Sequence, residues 1–173
     1  MRKPIAPAAG YTLIEILIVM LIISIVGAAA VLSISFNQTT RFKNLAHEIT
    51  SLLTLSEEQA LLQATVYGLA FTDKSFQFYQ FDASSKDHPW QPITDKVLGL
   101  HNIPDDMQIT VKVRDKIIHL AKNPQAVQQP QLIISTSGDI IPFTILIGKT
   151  DKPPRFQIIG NANGSIESAA ISS

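Results

Sequence analysis

Three regimes of hydrophobic patterning follow one another along the chain. From Ile16 to Thr40 no residue is charged, and the centre of that run, Ile16 to Val26, is apolar apart from Ser24. From Phe42 the pattern turns amphipathic. Phe42, Leu45, Ala46, Ile49, Leu52, Leu53, Ser56 and Ala60 recur at spacings of three and four, while Arg41, Lys43, Glu48, Glu57 and Glu58 fall mostly on the other side. That spacing marks one face of a helix. From Val66 onward short apolar runs alternate with turn signals, the mark of strands. Val66–Thr72 and Phe76–Phe81 read as a hairpin across 73–75, and Gln108–Val113 with Ile117–Leu120 as a second across 114–116. Leu132–Ser135, Pro142–Ile147, Arg155–Ile159 and Ser165–Ser168 are further strands. The segments 82–92 and 123–130 read as loops, and Asn161-Ala162-Asn163-Gly164 as a tight turn in which Gly164 takes positive φ. One long helix from about Tyr11 to about Leu62 followed by a run of strands predicts an α+β fold, the helix laid on an antiparallel sheet.

The uncharged run changes where such a helix belongs. A bilayer core about 30 Å thick needs roughly 20 apolar helical residues, and within lipid a single segment satisfies its backbone only as a helix. The run therefore predicts a transmembrane first half. Ser24 is tolerable there because its hydroxyl can bond back to a carbonyl one turn earlier. Gly27 lowers helix propensity and marks a place for a bend. Two rival readings use the same residues. In a secretory signal peptide, Arg2 and Lys3 would form the basic region and Ala28-Ala29-Ala30 the cleavage site; Glu15 abutting the apolar run argues against it. The other rival is an unprocessed signal anchor. Arg2 and Lys3 before the run are matched by Arg41 and Lys43 after it, so flanking charge does not fix orientation.

The run opens on Gly10-Tyr11-Thr12-Leu13-Ile14-Glu15. Here the chain resembles the type IV pilin and pseudopilin family, whose precursors carry a short basic leader ending in Gly, then an aromatic residue, Thr, Leu, an aliphatic residue, Glu and an apolar helix. Tyr11 stands where Phe is more common, and the mid-helix proline of many pilins is absent. The resemblance implies a leader at 1–10 cut after Gly10 by a prepilin peptidase, and methylation of the new amine at Tyr11. It also implies an assembly role for Glu15, a transmembrane and assembly helix at 11–36, and a periplasmic globular domain at 37–173. An ionisable group at membrane depth is costly unless paired. The family's counterpart of Glu15 is thought to meet the N-terminal amine of a neighbouring subunit, a pairing that selects packing register more than it adds stability.

Two further stretches narrow the resemblance. Residues 134–143, with Ser137-Gly138-Asp139 ahead of Pro142-Phe143, and residues 158–166, closing on the Asn161–Gly164 turn, look like the C-terminal part of GspH-type minor pseudopilins of type II secretion systems. Such subunits are implied to lie near the tip of a periplasmic pseudopilus that drives folded proteins across the outer membrane. Their implied partners are other minor pseudopilins, the major pseudopilin, the prepilin peptidase and inner-membrane lipid. The implied location is the inner membrane, single-pass, with the C-terminal domain in the periplasm.

Composition adds mainly exclusions. Basic and acidic residues balance at 14 each, which gives no footprint for a nucleic-acid partner. With no cysteine, disulfides, thiolate metal sites and a cysteine nucleophile are excluded. His47, His88, His101 and His119 lack metal-ligand spacing, and no oxygen-rich loop has calcium-ligand spacing; no metal, cofactor or small-molecule substrate is expected. Ser137-Gly138-Asp139 lacks the flanking glycines and following helix of a nucleophile elbow and reads as a hairpin turn. Asp105-Asp106 reads as a turn. Trp90, the lone tryptophan, is either an exposed contact residue or packed on the sheet. The resemblance implies a structural filament subunit and not an enzyme. A minor pilin of a type IV pilus and a membrane-anchored periplasmic enzyme or binding protein remain the alternatives.

Overall fold

The computed structural model describes residues 12–124, 127, 129–137 and 139–171, with the side chains of 29–38 outside the description. The chain divides into two units between Thr39 and Thr40. A single helix, α1 (Leu13–Gln63), runs through both, and its helical assignment continues through Gly27.

In the second unit α1 buries the stripe that its spacing predicts. Phe42, Leu45, Ala46, Ile49, Leu53, Ser56 and Ala60 are buried and Leu52 is partly so. Ser56 is tolerated at that depth because its hydroxyl donates to the Leu53 carbonyl at 2.7 Å. The helix ends in a Schellman turn: the Thr65 amide donates to the Ala60 carbonyl at 3.2 Å, and Ala64 takes the left-handed position with φ 48°.

Among the described residues ten strands follow: β1 (Tyr67–Phe71), β2 (Ser75–Phe81), β3 (Trp90–Pro92), β4 (Leu100–Asn102), β5 (Met107–Val113), β6 (Lys116–Ile118), β7 (Leu132–Ile134), β8 (Phe143–Lys149), β9 (Pro154–Gly160) and β10 (Ile166–Ala170). They form two antiparallel sheets. One runs β3-β2-β1-β7 with β4 also on β2, and the other runs β10-β9-β8-β5-β6. Alternate residues of both sheets and the α1 stripe meet in one core that includes Leu69, Phe71, Phe78, Val111, Ile134, Ile145, Ile147 and Ile158. Fully burying each such side chain contributes roughly 1.5–3 kcal/mol.

Local chemistry explains the turns. Arg114 and Asp115 both take positive φ (49° and 64°) between the paired Val113 and Lys116, the two-residue hairpin geometry that matches strand twist. Gly164 sits at φ 84°, its amide donating to Asn161, as the Asn-Gly signal predicts. At 72–75 the Thr72 hydroxyl accepts from the Ser75 and Lys74 amides, so β2 starts one residue earlier than its apolar run. The segment 82–92 is not wholly loop. It ends in β3, because the backbone of Trp90–Pro92 pairs with the outer edge of β2, where Pro92 needs no partner for a missing N–H. Within it Asp82 accepts from the Ser84 amide and hydroxyl at 2.9 and 2.6 Å, which holds its carboxyl below the ordinary carboxylate range. Of the expected loop 123–130, residues 125, 126 and 128 lie outside the described residues.

Beyond the end of β7 a side chain takes over from the ladder. Gln131 accepts from the Phe71 amide at 2.6 Å and donates to the Phe71 carbonyl at 3.3 Å, so one amide satisfies both backbone groups of a residue with no exposed surface. Below α1, the Arg41 guanidinium holds both carboxylate oxygens of Asp106 at 2.9 Å, and Lys74 holds Asp105 at 2.9 Å. These fix the Asp105-Asp106 turn to the helix and to the start of β2.

Candidate assembly site

The first turn of α1 is built by Thr12. Its hydroxyl accepts from the Glu15 amide at 3.3 Å, and its carbonyl accepts from the Glu15 and Ile16 amides at 3.1 and 3.2 Å. Thr12 is thus the N-cap and Glu15 stands three residues on, the spacing of a capping box. A carboxylate here also faces the positive end of the helix dipole, an arrangement worth about 0.3–1 kcal/mol when exposed. The Thr-x-x-Glu spacing of Thr12 and Glu15 is the sequence signal for this cap. Gly10 and Tyr11, the expected cleavage and methylation positions, lie outside the described residues.

Glu15 is exposed, and among the described residues no cation pairs with it. Around and beyond it, every large apolar side chain from Leu13 to Val26 is about half or more exposed, from 47% at Val19 to 83% at Leu13. The exposure runs round the whole helix and not along one stripe. A helix apolar on all faces belongs in lipid or among other chains. Ser24 fits either medium, since its hydroxyl donates to the Met20 carbonyl at 2.8 Å. Among the described residues no helix is long and apolar enough to cross a membrane. The side chains described in this part of α1 end at Ala28, whereas the uncharged run of the sequence continues to Thr40.

Ser137 donates to Asp139 at 2.7 Å and meets the Ser135 hydroxyl at 2.9 Å, while the Asp139 amide donates back to Ser135. These bonds close a turn on itself. No group of three or more His, Cys, Asp or Glu side chains among the described residues is arranged to hold a metal. His47, His88 and His119 are exposed. His101 is drawn against Phe76 and Glu48. Trp90 packs edge-on against Phe81 with centroids 5.2 Å apart and lies over Gly68, so the packed alternative holds.

Comparison with known proteins bears on the same residues. Residues 6–31 match the family described as the prokaryotic N-terminal methylation motif. The chain is 29% identical over 147 residues to type II secretion system protein H of Pseudomonas aeruginosa, covering 81% of this chain and 83% of that one. It is 26% identical over 158 residues to the protein of the same name from Aeromonas hydrophila, covering 86% and 85%. Its fold is similar to that of the minor pseudopilin EpsH from the type 2 secretion system of Vibrio cholerae, with a TM-score of 0.63, 23% identity, and 75% of this chain and 95% of that one covered. Escherichia coli GspH in solution gives a TM-score of 0.60 at 18% identity, with 76% and 89% covered.

Proposed function

We propose that this chain, a pilin-like pseudopilin of the protein H type, works as a minor pseudopilin of a type II secretion system, a structural subunit near the tip of the pseudopilus. The observation that carries this reading is the first turn of α1. A Thr12 cap sets Glu15 at the head of a helix apolar on every face, within the span matched by the methylation motif. The same turn supports cleavage after Gly10, methylation at Tyr11, insertion of the helix in the inner membrane with the second unit in the periplasm, and pairing of Glu15 with the new amine of a neighbouring pseudopilin. A cation and an anion that are each unfavourable alone in hydrocarbon become favourable together, and the pair forms at one register only. The chain acts by being placed in a filament, and its contribution to export is mechanical and not catalytic.

Two measurements test this. Mass spectrometry of the chain extracted from membranes is expected to find an N-terminus at Tyr11 carrying one added methyl. In cells lacking the wild-type gene, Glu15→Gln is expected to accumulate normally, fail to crosslink with the other pseudopilins, and leave a folded secreted protein in the periplasm. An N-terminus near Val31, or full secretion by the Glu15→Gln chain, overturns the reading.

A further inference from the structure

We propose that His101 is a proton-operated latch: its imidazole, wedged between Glu48 of α1 and the Val97 carbonyl, ties the 95–98 turn to the helix only when both ring nitrogens carry protons. The inference concerns the second unit alone and stands whether or not the chain is a pseudopilin.

The ring lies flat on Phe76, centroids 4.9 Å apart and planes 6° from parallel, so its in-plane direction is fixed. Held so, Nδ1 is 2.9 Å from Glu48 Oε1 and Nε2 is 2.9 Å from the Val97 carbonyl oxygen. Both neighbours are oxygens that only accept. A neutral imidazole has one N–H and one lone pair, whereas the imidazolium has two N–H groups. Neutral His101 therefore sets a lone pair against an oxygen on one side, and the carboxylate, the stronger acceptor, keeps the remaining proton. The side that lets go is Val97. The charged groups on the neighbouring elements have other partners: Arg41 of α1 holds Asp106, Lys74 ahead of β2 holds Asp105, and Asp95 accepts from the Val97 and Leu98 amides at 2.7 Å. His47 and Lys96 are exposed to solvent. Among the described residues, Glu48 is the charged group in contact with the ring.

Protonation thus changes how firmly one surface is held. Leu98 anchors the middle of the segment in the core and accepts from the Phe78 amide at 3.3 Å, while Val97 and Leu100 beside it are half exposed. With the ring charged, the Val97 carbonyl is tied down and this apolar pair is presented in one arrangement. With the ring neutral, the turn at 95–98 is held by Asp95 and Leu98 but no longer to α1. The proton comes from and returns to solvent, which the ring reaches with 19% of its side-chain surface.

The test uses the full chain, 15N-labelled in detergent, and follows the His101 ring nitrogens by NMR from about pH 5 to about pH 8, the range in which histidine charge changes. Backbone hydrogen exchange is read at the same points and corrected for intrinsic rate. The expected result is a ring with two N–H groups at the acid end. On its deprotonation, exchange at 95–102 rises roughly fivefold to tenfold, the loss of about one hydrogen bond, while β8 and β9 stay unchanged. Glu48→Gln, which keeps an acceptor but removes the anion, is expected to move the transition to lower pH. His101→Phe keeps the stack on Phe76 and never charges, so its exchange at 95–102 is expected to be high and flat with pH. A ring with a single N–H throughout, a transition unmoved by Glu48→Gln, or the same pH response in His101→Phe overturns the proposal. If His101→Phe does not fold, the ring spectra and Glu48→Gln decide.

Discussion

Gly160→Ala is the substitution whose cost the structure states most directly. Gly160 lies opposite Phe143 in the β8–β9 pair, and the Phe143 ring lies across the space where a side chain would be. A Cβ built there falls 2.1 Å from Cε1, 2.5 Å from Cζ and 2.6 Å from Cδ1 of that ring. Carbon atoms rest at about 3.5–4.0 Å, so the ring has to retreat by more than about 1 Å. Phe143 is only 3% exposed and packed in the core, so it has nowhere to go without displacing others. Overpacking of this kind costs about 1–3 kcal/mol, here toward the upper end. Removing a glycine from the unfolded chain returns about 0.4–1 kcal/mol. The net expected loss is about 1–2.5 kcal/mol, a fall in Tm of roughly 4–10 °C for a unit of this size. The assay is thermal melting of the full chain in detergent, followed on the β-sheet circular dichroism signal. A double-mutant cycle separates ring collision from a general glycine effect. Phe143→Leu frees the space, so the pair of changes is expected to cost at least about 1 kcal/mol less than the sum of the singles. A Gly160→Ala chain that melts within about 1 °C of wild type, or an additive cycle, refutes the reasoning.

Two more outcomes follow from particular residues. Ala64 holds the left-handed position of the α1 Schellman turn, a conformation that costs an L-residue about 1–2 kcal/mol. Ala64→Gly is therefore expected to stabilise by about 0.5–1 kcal/mol after the unfolded-chain penalty, read as a Tm gain of a few degrees; a loss shows that the methyl is packed and not strained. Burial, and then the charge of neighbouring Glu58, push the Glu57 carboxyl above its ordinary value. The folded state thus disfavours the charged form, a cost present at pH 7 and relieved once both states are protonated. Glu57→Gln is expected to raise Tm at pH 7 and to make no difference near pH 3; an equal gain at both pH values refutes the electrostatic cause.

What the sequence disclosed depended on how local the controlling physics is. The α1 stripe, the β5–β6 hairpin and the Gly164 turn were readable because each is decided by residues within a turn or two of each other. β3 and β4 were not, since three residues carry no alternation and those strands exist only because β2 offers them an edge. Leu98 and Ile103, both deeply buried, sit in irregular backbone with no periodicity to betray them. At the candidate site the Thr-x-x-Glu spacing holds the signal for the Thr12 cap, while the partners of His101 leave no signal in the sequence. Glu48 is 53 positions away, and only the packing of α1 over β4 brings them together.

The amide of Gln131 has a meaning beyond the two bonds it makes. A sheet whose rim shows bare N–H and C=O groups invites a stranger's backbone to dock there, and proteins commonly guard such rims with charge or proline. Here a neutral side chain impersonates the missing neighbour just past the short β7, so the rim at Phe71 is closed to a foreign strand. In a filament of the kind proposed, a subunit crowded among its like is thereby protected from joining them in the wrong way at that spot.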